Sequence, residues 1–160
     1  MKNSLLYFLI IYLLSCHSNK MMNEQNFINK KQLIGTWEYI EMRNSKGEKI
    51  ESYDLSFGEI KASGPEIKLM NDGTYMKKFT PTNTDYGFWK YNPKQMTIEY
   101  DLFIDSTDWI GKDLIKKGLA IKQKDGNYYE KIEDKILEFK NDTMILNNRG
   151  YKIVYKKTQT

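Results

Sequence analysis

The chain has 160 residues, of which 25 are Lys or Arg and 21 are Asp or Glu, so its formal charge at pH 7 is +4. The charges of both signs are interspersed, which argues against a nucleic-acid-binding protein. Its single cysteine, Cys16, and single histidine, His17, exclude a disulfide framework and leave almost nothing for a cysteine-based metal site or a histidine base. We therefore expect no metal and no cofactor.

The first sixteen residues have the pattern of an export and lipidation signal. Lys2 gives a basic start, and residues 5–14 form an unbroken apolar run that is too short to span a bilayer. The run ends in Leu13-Leu14-Ser15-Cys16, which resembles a bacterial lipobox; in that signal a peptidase cuts before the Cys, whose thiol receives the lipid. The resemblance implies a membrane contact through acyl chains on Cys16. The alternative is a free or buried Cys at the end of an uncleaved apolar helix.

This signal divides the chain into three parts. We expect residues 1–15 to be a lipoprotein signal peptide, residues 16–31 a flexible polar tether, and residues 32–158 one domain of ordinary size. No acidic run follows Cys16. We expect a monomer anchored in the bacterial cell envelope, at the outer membrane and facing the periplasm.

The domain opens with a predicted strand at Leu33–Met42, which contains the motif Gly35-Thr36-Trp37. Its alternation of apolar and polar residues is imperfect, which a β-bulge would explain. Trp37 can bury a large apolar area and close one end of a small barrel. The alternative is a core Trp that has no role in ligand binding.

Turn residues divide the remaining chain into short segments. Asn71-Asp72-Gly73 is a strong hairpin signal, Ser63-Gly64-Pro65 and Asn92-Pro93-Lys94 predict turns, and residues 81–85 read as a loop. Residues 49–62 are ambiguous. The other segments predict strands at 66–70, 74–80, 86–92, 95–103, 119–124, 128–132, 135–140, 143–147 and 151–157.

Residues 106–118 break the strand rhythm. Ser106 or Thr107 can cap a short helix that Gly118 would end, with Ile110 and Leu114 at helical spacing. Such a helix could be a lid over a barrel mouth or a connection packed on the sheet.

The pattern as a whole predicts an all-β fold, an antiparallel up-and-down β-barrel of about eight to ten strands with one short helix. A Leu-x-Gly-x-Trp opening, a second Gly-x-Trp at Gly87–Trp89 and the closing meander resemble the lipocalin-like domains of bacterial envelope lipoproteins, notably from Bacteroidetes. The resemblance covers roughly residues 33–157. Lipocalins usually place an Arg late in the barrel across the opening Trp, whereas the last strand here offers Lys156 and Lys157.

No catalytic motif is present, so we expect that the protein is not an enzyme and has no catalytic residue. The carboxylates of Asp101, Asp105, Asp108 and Asp113 could form an acid/base pair or a calcium site, but their spacing does not fit an EF-hand and favours a solvated loop.

Two functions remain. One is a binding protein whose barrel holds a small apolar or amphipathic ligand. The candidate ligand-binding residues are Trp37, Tyr75, Trp89, Met96, Ile98 and Tyr100. The other is a non-catalytic interaction or structural lipoprotein with a filled barrel, acting in envelope assembly, sensing or inhibition.

Overall fold

The computed structural model describes residues 28–55 and 58–158. The predicted signal peptide, Cys16 and residues 16–27 of the predicted tether lie outside the described residues. The helices are α1 (Lys30–Leu33) and α2 (Trp109–Lys116). The strands are β1 (Gly35–Arg43), β2 (Lys49–Ile50), β3 (Ser52–Leu55), β4 (Gly58–Lys61), β5 (Glu66–Leu69), β6 (Thr74–Thr80), β7 (Asn83–Asn92), β8 (Thr97–Ile104), β9 (Ala120–Lys122), β10 (Tyr128–Lys140), β11 (Thr143–Asn148) and β12 (Tyr151–Lys157).

Eight of these strands form a closed antiparallel barrel, which confirms the predicted fold class. They are paired in the order β11-β12-β1-β5-β6-β7-β8-β10, and β10 pairs with β11 to close the circle. The short strands β2 and β9 extend the edges of β1 and β10, while β3 and β4 form a separate hairpin. The architecture is a closed eight-stranded antiparallel barrel with one helix of two turns.

Strand β1 contains the irregularity that its sequence predicts. Its register against β12 shifts between Tyr39 and Glu41, so Ile40 is the extra residue and is exposed. The bulge lets Trp37, Tyr39 and Met42 face inward although their spacing is not strictly two residues.

One end of the barrel is closed by an apolar plug. Helix α1 begins at a capping box, in which Asn29 Oδ1 accepts from the Lys31 N–H (3.0 Å) and Gln32 Oε1 accepts from the Asn29 N–H (2.8 Å). Ile28, which precedes this helix, and Leu33, its last residue, are buried in the core. The packed structure therefore includes residues 28–31, which the sequence assigns to the tether.

Several boundaries differ from the sequence prediction, and three of these differences have a local cause. Strand β7 begins at Asn83 because only residues 81–82 are needed for its turn after β6. The predicted strands 128–132 and 135–140 are one strand, since the first half of β10 pairs with β8 and the second half with β11. Helix α2 is capped by Asp108, whose Oδ1 accepts from the Gly111 N–H (2.6 Å), and not by Ser106 or Thr107.

Helix α2 connects β8 to β9 and is held close to the end of β8. A Cβ atom at Gly111 would lie only 1.8 Å from the Asp105 carbonyl oxygen, so the helix backbone touches the chain that leaves the strand. This geometry fits the expected connecting helix. No helix within the described ranges has the length and apolar character needed to cross a bilayer.

Candidate functional site

The predicted ligand-binding residues come together inside the barrel. Trp37, Tyr75, Trp89, Ile98 and Tyr100 are buried members of one core cluster. Met96 precedes β8, in the turn, and packs against the same cluster while partly exposed. These side chains fill the end of the barrel that α1 covers, and they contact one another as a packed core does.

The two Trp residues satisfy their polar atoms within this packing. Trp37 Nε1 donates to the Leu33 carbonyl (2.8 Å), and Trp89 Nε1 donates to the Met70 carbonyl (3.0 Å). Lys157 Nζ lies 5.5 Å from the centre of the Trp37 ring and donates to the Gln32 carbonyl (2.8 Å). Lys157 thus occupies the place across the opening Trp where the resemblance implies an Arg.

Beyond these apolar side chains, the barrel contains a partly buried ion pair that the sequence interpretation missed. Lys77 on β6 and Asp134 on β10 are 2.7 Å apart, with side chains 13% and 20% exposed. Strands β7 and β8 lie between β6 and β10 in the sheet, so the pair reaches across the barrel interior. Lys77 Nζ also lies 3.8 Å from the centre of the Tyr100 ring, a cation–π contact.

Buried tyrosine and carboxylate groups surround this pair. Burial raises the pKa of Tyr100 well above its ordinary value, and the nearby negative charge of Asp134 adds to the rise. The Tyr100 hydroxyl is buried without a hydrogen-bond partner in the described part of the chain. Burial likewise raises the pKa of Tyr75 and Tyr155, with a further contribution from carboxylates that include Asp134. The pKa of the Asp85 carboxyl is raised by burial, an effect that Lys77 opposes.

A gap in the barrel wall lies beside strand β1. On one edge, β1 pairs with β5 through residues 35–37 and with β2 through residues 42–43, so its partner strand changes between these two stretches. A half-open cavity of about 410 Å³ occupies this gap. This volume is within the range of small-molecule sites. The cavity is lined by Tyr39, Ile40, Glu41, Lys49, Ile50, Glu51, Lys61 and Ala62.

Tyr39 connects this cavity to the polar interior. Its ring packs against the ring of Tyr155 with centroids 6.4 Å apart. The pKa of Tyr155 is raised by burial and, to a smaller extent, by the charge of Asp134. The backbone at Gly64 lies directly on both rings, because a Cβ there would be 2.6 Å from Tyr39 and 3.1 Å from the Tyr155 hydroxyl. We call Tyr39, Lys77, Tyr100, Asp134 and Tyr155 the inner polar cluster.

The four aspartates of the sequence-predicted acidic group do not form one site. Asp105 accepts from Thr107, Asp108 caps α2, and Asp113 pairs with Lys117 at 2.6 Å. Asp101 lines a second cavity, of about 320 Å³, at the wall formed by β7, β8 and β10. Within the described ranges, no group of three or more His, Cys, Asp or Glu residues could hold a metal ion.

Sequence alternation contained a signal for the missed residues. Lys77 lies two residues after Tyr75, and Asp134 lies two residues before Ile136, so both share the inward face of their strands. A charged residue at an inward position is the signal. Neither sequence position indicates that the two side chains meet across the barrel, because β6 and β10 are not sequence neighbours.

Comparison with known proteins adds two structural neighbours. No protein-family model matches the chain, and no curated protein matches it in sequence. A lipocalin-like protein from Bacteroides uniformis is similar in structure, with 14% identity and a TM-score of 0.47, over 79% of this chain and 99% of that one. An uncharacterised protein from Bacteroides eggerthii is also similar, with 18% identity and a TM-score of 0.46, over 78% of this chain and 98% of that one.

Proposed function

We propose that this protein is a lipid-anchored binding protein of the cell envelope that holds a small amphipathic ligand at the flank of its barrel. The observation that carries the proposal is the inner polar cluster next to a cavity of about 410 Å³. An apolar part of the ligand would lie against Ile50 and Ala62, while a polar group would reach toward Tyr39 and Tyr155. In this proposal, the sequence-predicted residues Trp37, Trp89 and Ile98 belong to the packed apolar core and do not contact the ligand.

The ion pair gives a second reason for a binding role, in addition to the cavity. Charged groups lose hydration when they enter a barrel, and a well-packed apolar pair of the same volume is often as stable or more stable. Lys77 and Asp134 therefore stabilise the folded state no better than apolar residues of the same volume would. A role in recognising the polar part of a ligand gives a reason for keeping them.

The ligand proposal is tested by native mass spectrometry of delipidated protein purified from its host. We expect a small molecule to co-purify with the wild-type protein. Ile50→Trp should reduce the bound fraction at least about tenfold, because the larger ring fills the cavity. Glu38→Trp is the matched control, since it adds the same ring to an exposed position of β1 and leaves the cavity open. Wild-type protein that is repeatedly empty, or equal loss in both variants, would contradict the proposal.

The anchor proposal has an independent test. We expect Cys16→Ser to move the protein from the membrane fraction to the soluble fraction and to abolish labelling by radioactive fatty acid, because serine has no thiol to receive diacylglycerol. Ser18→Ala is the control, since it changes a neighbouring residue and keeps the thiol. Equal membrane retention and equal labelling of wild type and Cys16→Ser would refute lipidation at this residue.

The second candidate function is a filled-barrel interaction or structural lipoprotein that is not an enzyme. The packed apolar floor around Trp37, and a row of exposed rings on the outer wall, favour it over an empty container. The mass-spectrometric test separates the two functions, since a filled barrel carries no ligand.

A further inference from the structure

An apolar row crosses the outer face of five neighbouring strands. Strand pairing places Met76 opposite Tyr86, Phe103 opposite Tyr129, and Tyr129 opposite Ile121, while the rings of Tyr86 and Phe103 stack at 5.2 Å. Phe88 lies beside the row, 5.8 Å from Tyr129. We call these six residues the outer aromatic surface.

Three residues of the outer aromatic surface are exposed to solvent, and a buried tyrosine supports them from below. Tyr86, Phe88 and Ile121 are 53%, 45% and 59% exposed, whereas Tyr129 is buried beneath them and donates its hydroxyl to Asp125 (2.7 Å). Rings stacked in this way are held rigid, so contact with another surface costs little side-chain entropy. A contiguous apolar surface of this kind marks an interaction site.

The place of Ile28, together with the length of chain between it and Cys16, indicates what covers this surface. Ile28 is the first described residue, and Lys30 Nζ lies 4.8 Å from the ring of Trp89, so the chain enters the barrel at one end of β7. Strand β7 also carries Tyr86 and Phe88. The segment from Cys16 to Phe27 spans at most about 40 Å when fully extended. A lipid on Cys16 would therefore hold Ile28 within about 40 Å of the bilayer, which leaves the outer wall of β7 able to reach it.

We infer that the outer aromatic surface lies against the lipid bilayer, in the headgroup region, when the protein is anchored. This inference rests on the proposed anchor at Cys16. Tyr and Phe rings are favoured at the membrane interface, where an apolar body meets polar surroundings. The tether raises the effective concentration of the bilayer around the protein, so even a weak contact with it is populated.

The charges around the surface define the kind of contact. Lys78 and Lys131 lie next to the row on the outer face, but the strand register places Glu66 opposite Lys78 and Asp101 opposite Lys131. These charges oppose one another, so the contact depends on the rings and not on anionic lipid. We expect it to persist when the salt concentration is raised to about 0.5 M, at which exposed charges are screened.

The test uses the full-length acylated protein in vesicles of phosphatidylethanolamine and phosphatidylglycerol that contain a phospholipid photoactivatable near its glycerol. After irradiation, mass spectrometry should locate label on residues 78–90 and 121–131. Combined substitution Tyr86→Ser, Phe88→Ser and Ile121→Ser should lower the label on the neighbouring Lys78 and Lys131 at least about fivefold. The control pair Leu137→Ser and Tyr151→Ser removes apolar residues that are 42% and 40% exposed elsewhere, and it should keep the label.

Two results would contradict contact between this surface and the bilayer, and a third would assign the surface to another partner. Label confined to the segment before Ile28, or label unchanged in the triple variant, would overturn the inference. Cross-links between two copies through residues 86–88 would assign the surface to a dimer instead. The single variant Tyr86→Ser, whose side chain is half exposed, repeats the measurement if the triple variant unfolds. The acyl mass on Cys16 is read in the same spectra, so failure of the anchor is distinguished from failure of the surface contact.

Discussion

Gly87→Ala is expected to destabilise the protein by about 3 kcal/mol or more, because a side chain at this position would collide with the barrel backbone. A Cβ atom at Gly87 would lie 2.0 Å from the Asp101 carbonyl oxygen and 3.2 Å from the Phe103 nitrogen. Both atoms belong to β8, which pairs with β7 at this point, so neither can rotate away as a side chain can. Strands β7 and β8 would have to separate where Tyr86 and Phe103 stack.

The measurement is the free energy of unfolding in urea, with Gly126→Ala as the matched control. Gly126 has a φ of +87°, and a Cβ added there would meet nothing within 4 Å, so its replacement introduces backbone strain of about 1 kcal/mol and no collision. We expect the denaturant midpoint to fall much further for Gly87→Ala than for the control. Equal shifts would mean that strand separation at residue 87 costs little.

The second Gly-x-Trp motif therefore has a steric role that its sequence only partly indicates. The sequence places Trp89 inside the barrel, where the structure buries it, whereas the close approach of Gly87 to a neighbouring strand was not predicted. The identity of the neighbour could not be predicted, since it depends on which residue of β8 faces β7. Register is determined by the whole barrel and not by the motif.

The same limit applies to the candidate site. Inward positions such as Ile98 and Tyr100 follow from strict alternation along one strand, and the sequence predicts them. The cavity beside β1 lies where the partner strand of β1 changes from β5 to β2, which is a property of pairing between distant segments. The contact of Lys77 with Asp134 likewise depends on barrel closure, which brings together residues 57 positions apart.

The Lys77–Asp134 pair gives the second large effect. Asp134→Leu should destabilise the protein by about 3 kcal/mol, because it leaves the ammonium group of Lys77 in the barrel without its partner. Lys77→Met should destabilise the protein by a similar amount, because it leaves the carboxylate of Asp134 in the barrel without its cation. The double variant Lys77→Met/Asp134→Leu should recover most of the loss, since an apolar pair of similar volume needs no hydration.

The outer-wall pair Lys90–Glu99 is the matched control. Its atoms are 3.0 Å apart, but the Lys90 side chain is 63% exposed, so Lys90→Met should cost less than about 1 kcal/mol. A double-mutant cycle measured by urea unfolding gives the coupling energy of each pair. If the two cycles give the same coupling energy, the barrel interior is hydrated and the inner pair is an ordinary surface ion pair.

The pH dependence of Lys77→Met follows from Asp85. Burial already raises the pKa of this carboxyl, and Lys77 opposes the rise, so removal of Lys77 should raise the pKa further. A carboxyl whose pKa is higher in the folded state binds its proton more tightly there, so folding stability increases as the pH falls through that pKa. Lys77→Met should therefore lose less stability relative to wild type in mildly acidic buffer than at neutral pH, and Lys77→Met/Asp85→Asn should lose this contribution of Asp85.

The double variant also separates a structural role from a binding role. Lys77→Met/Asp134→Leu should fold about as stably as wild type, yet it removes both charges from the inner polar cluster. If these charges bind the polar part of a ligand, the folded double variant should purify without the small molecule that wild type retains, and Lys90→Met should retain it. A double variant that is stable and still carries the ligand would show that recognition depends on the cavity wall at Tyr39 and Ile50, and that the ion pair only fills the barrel.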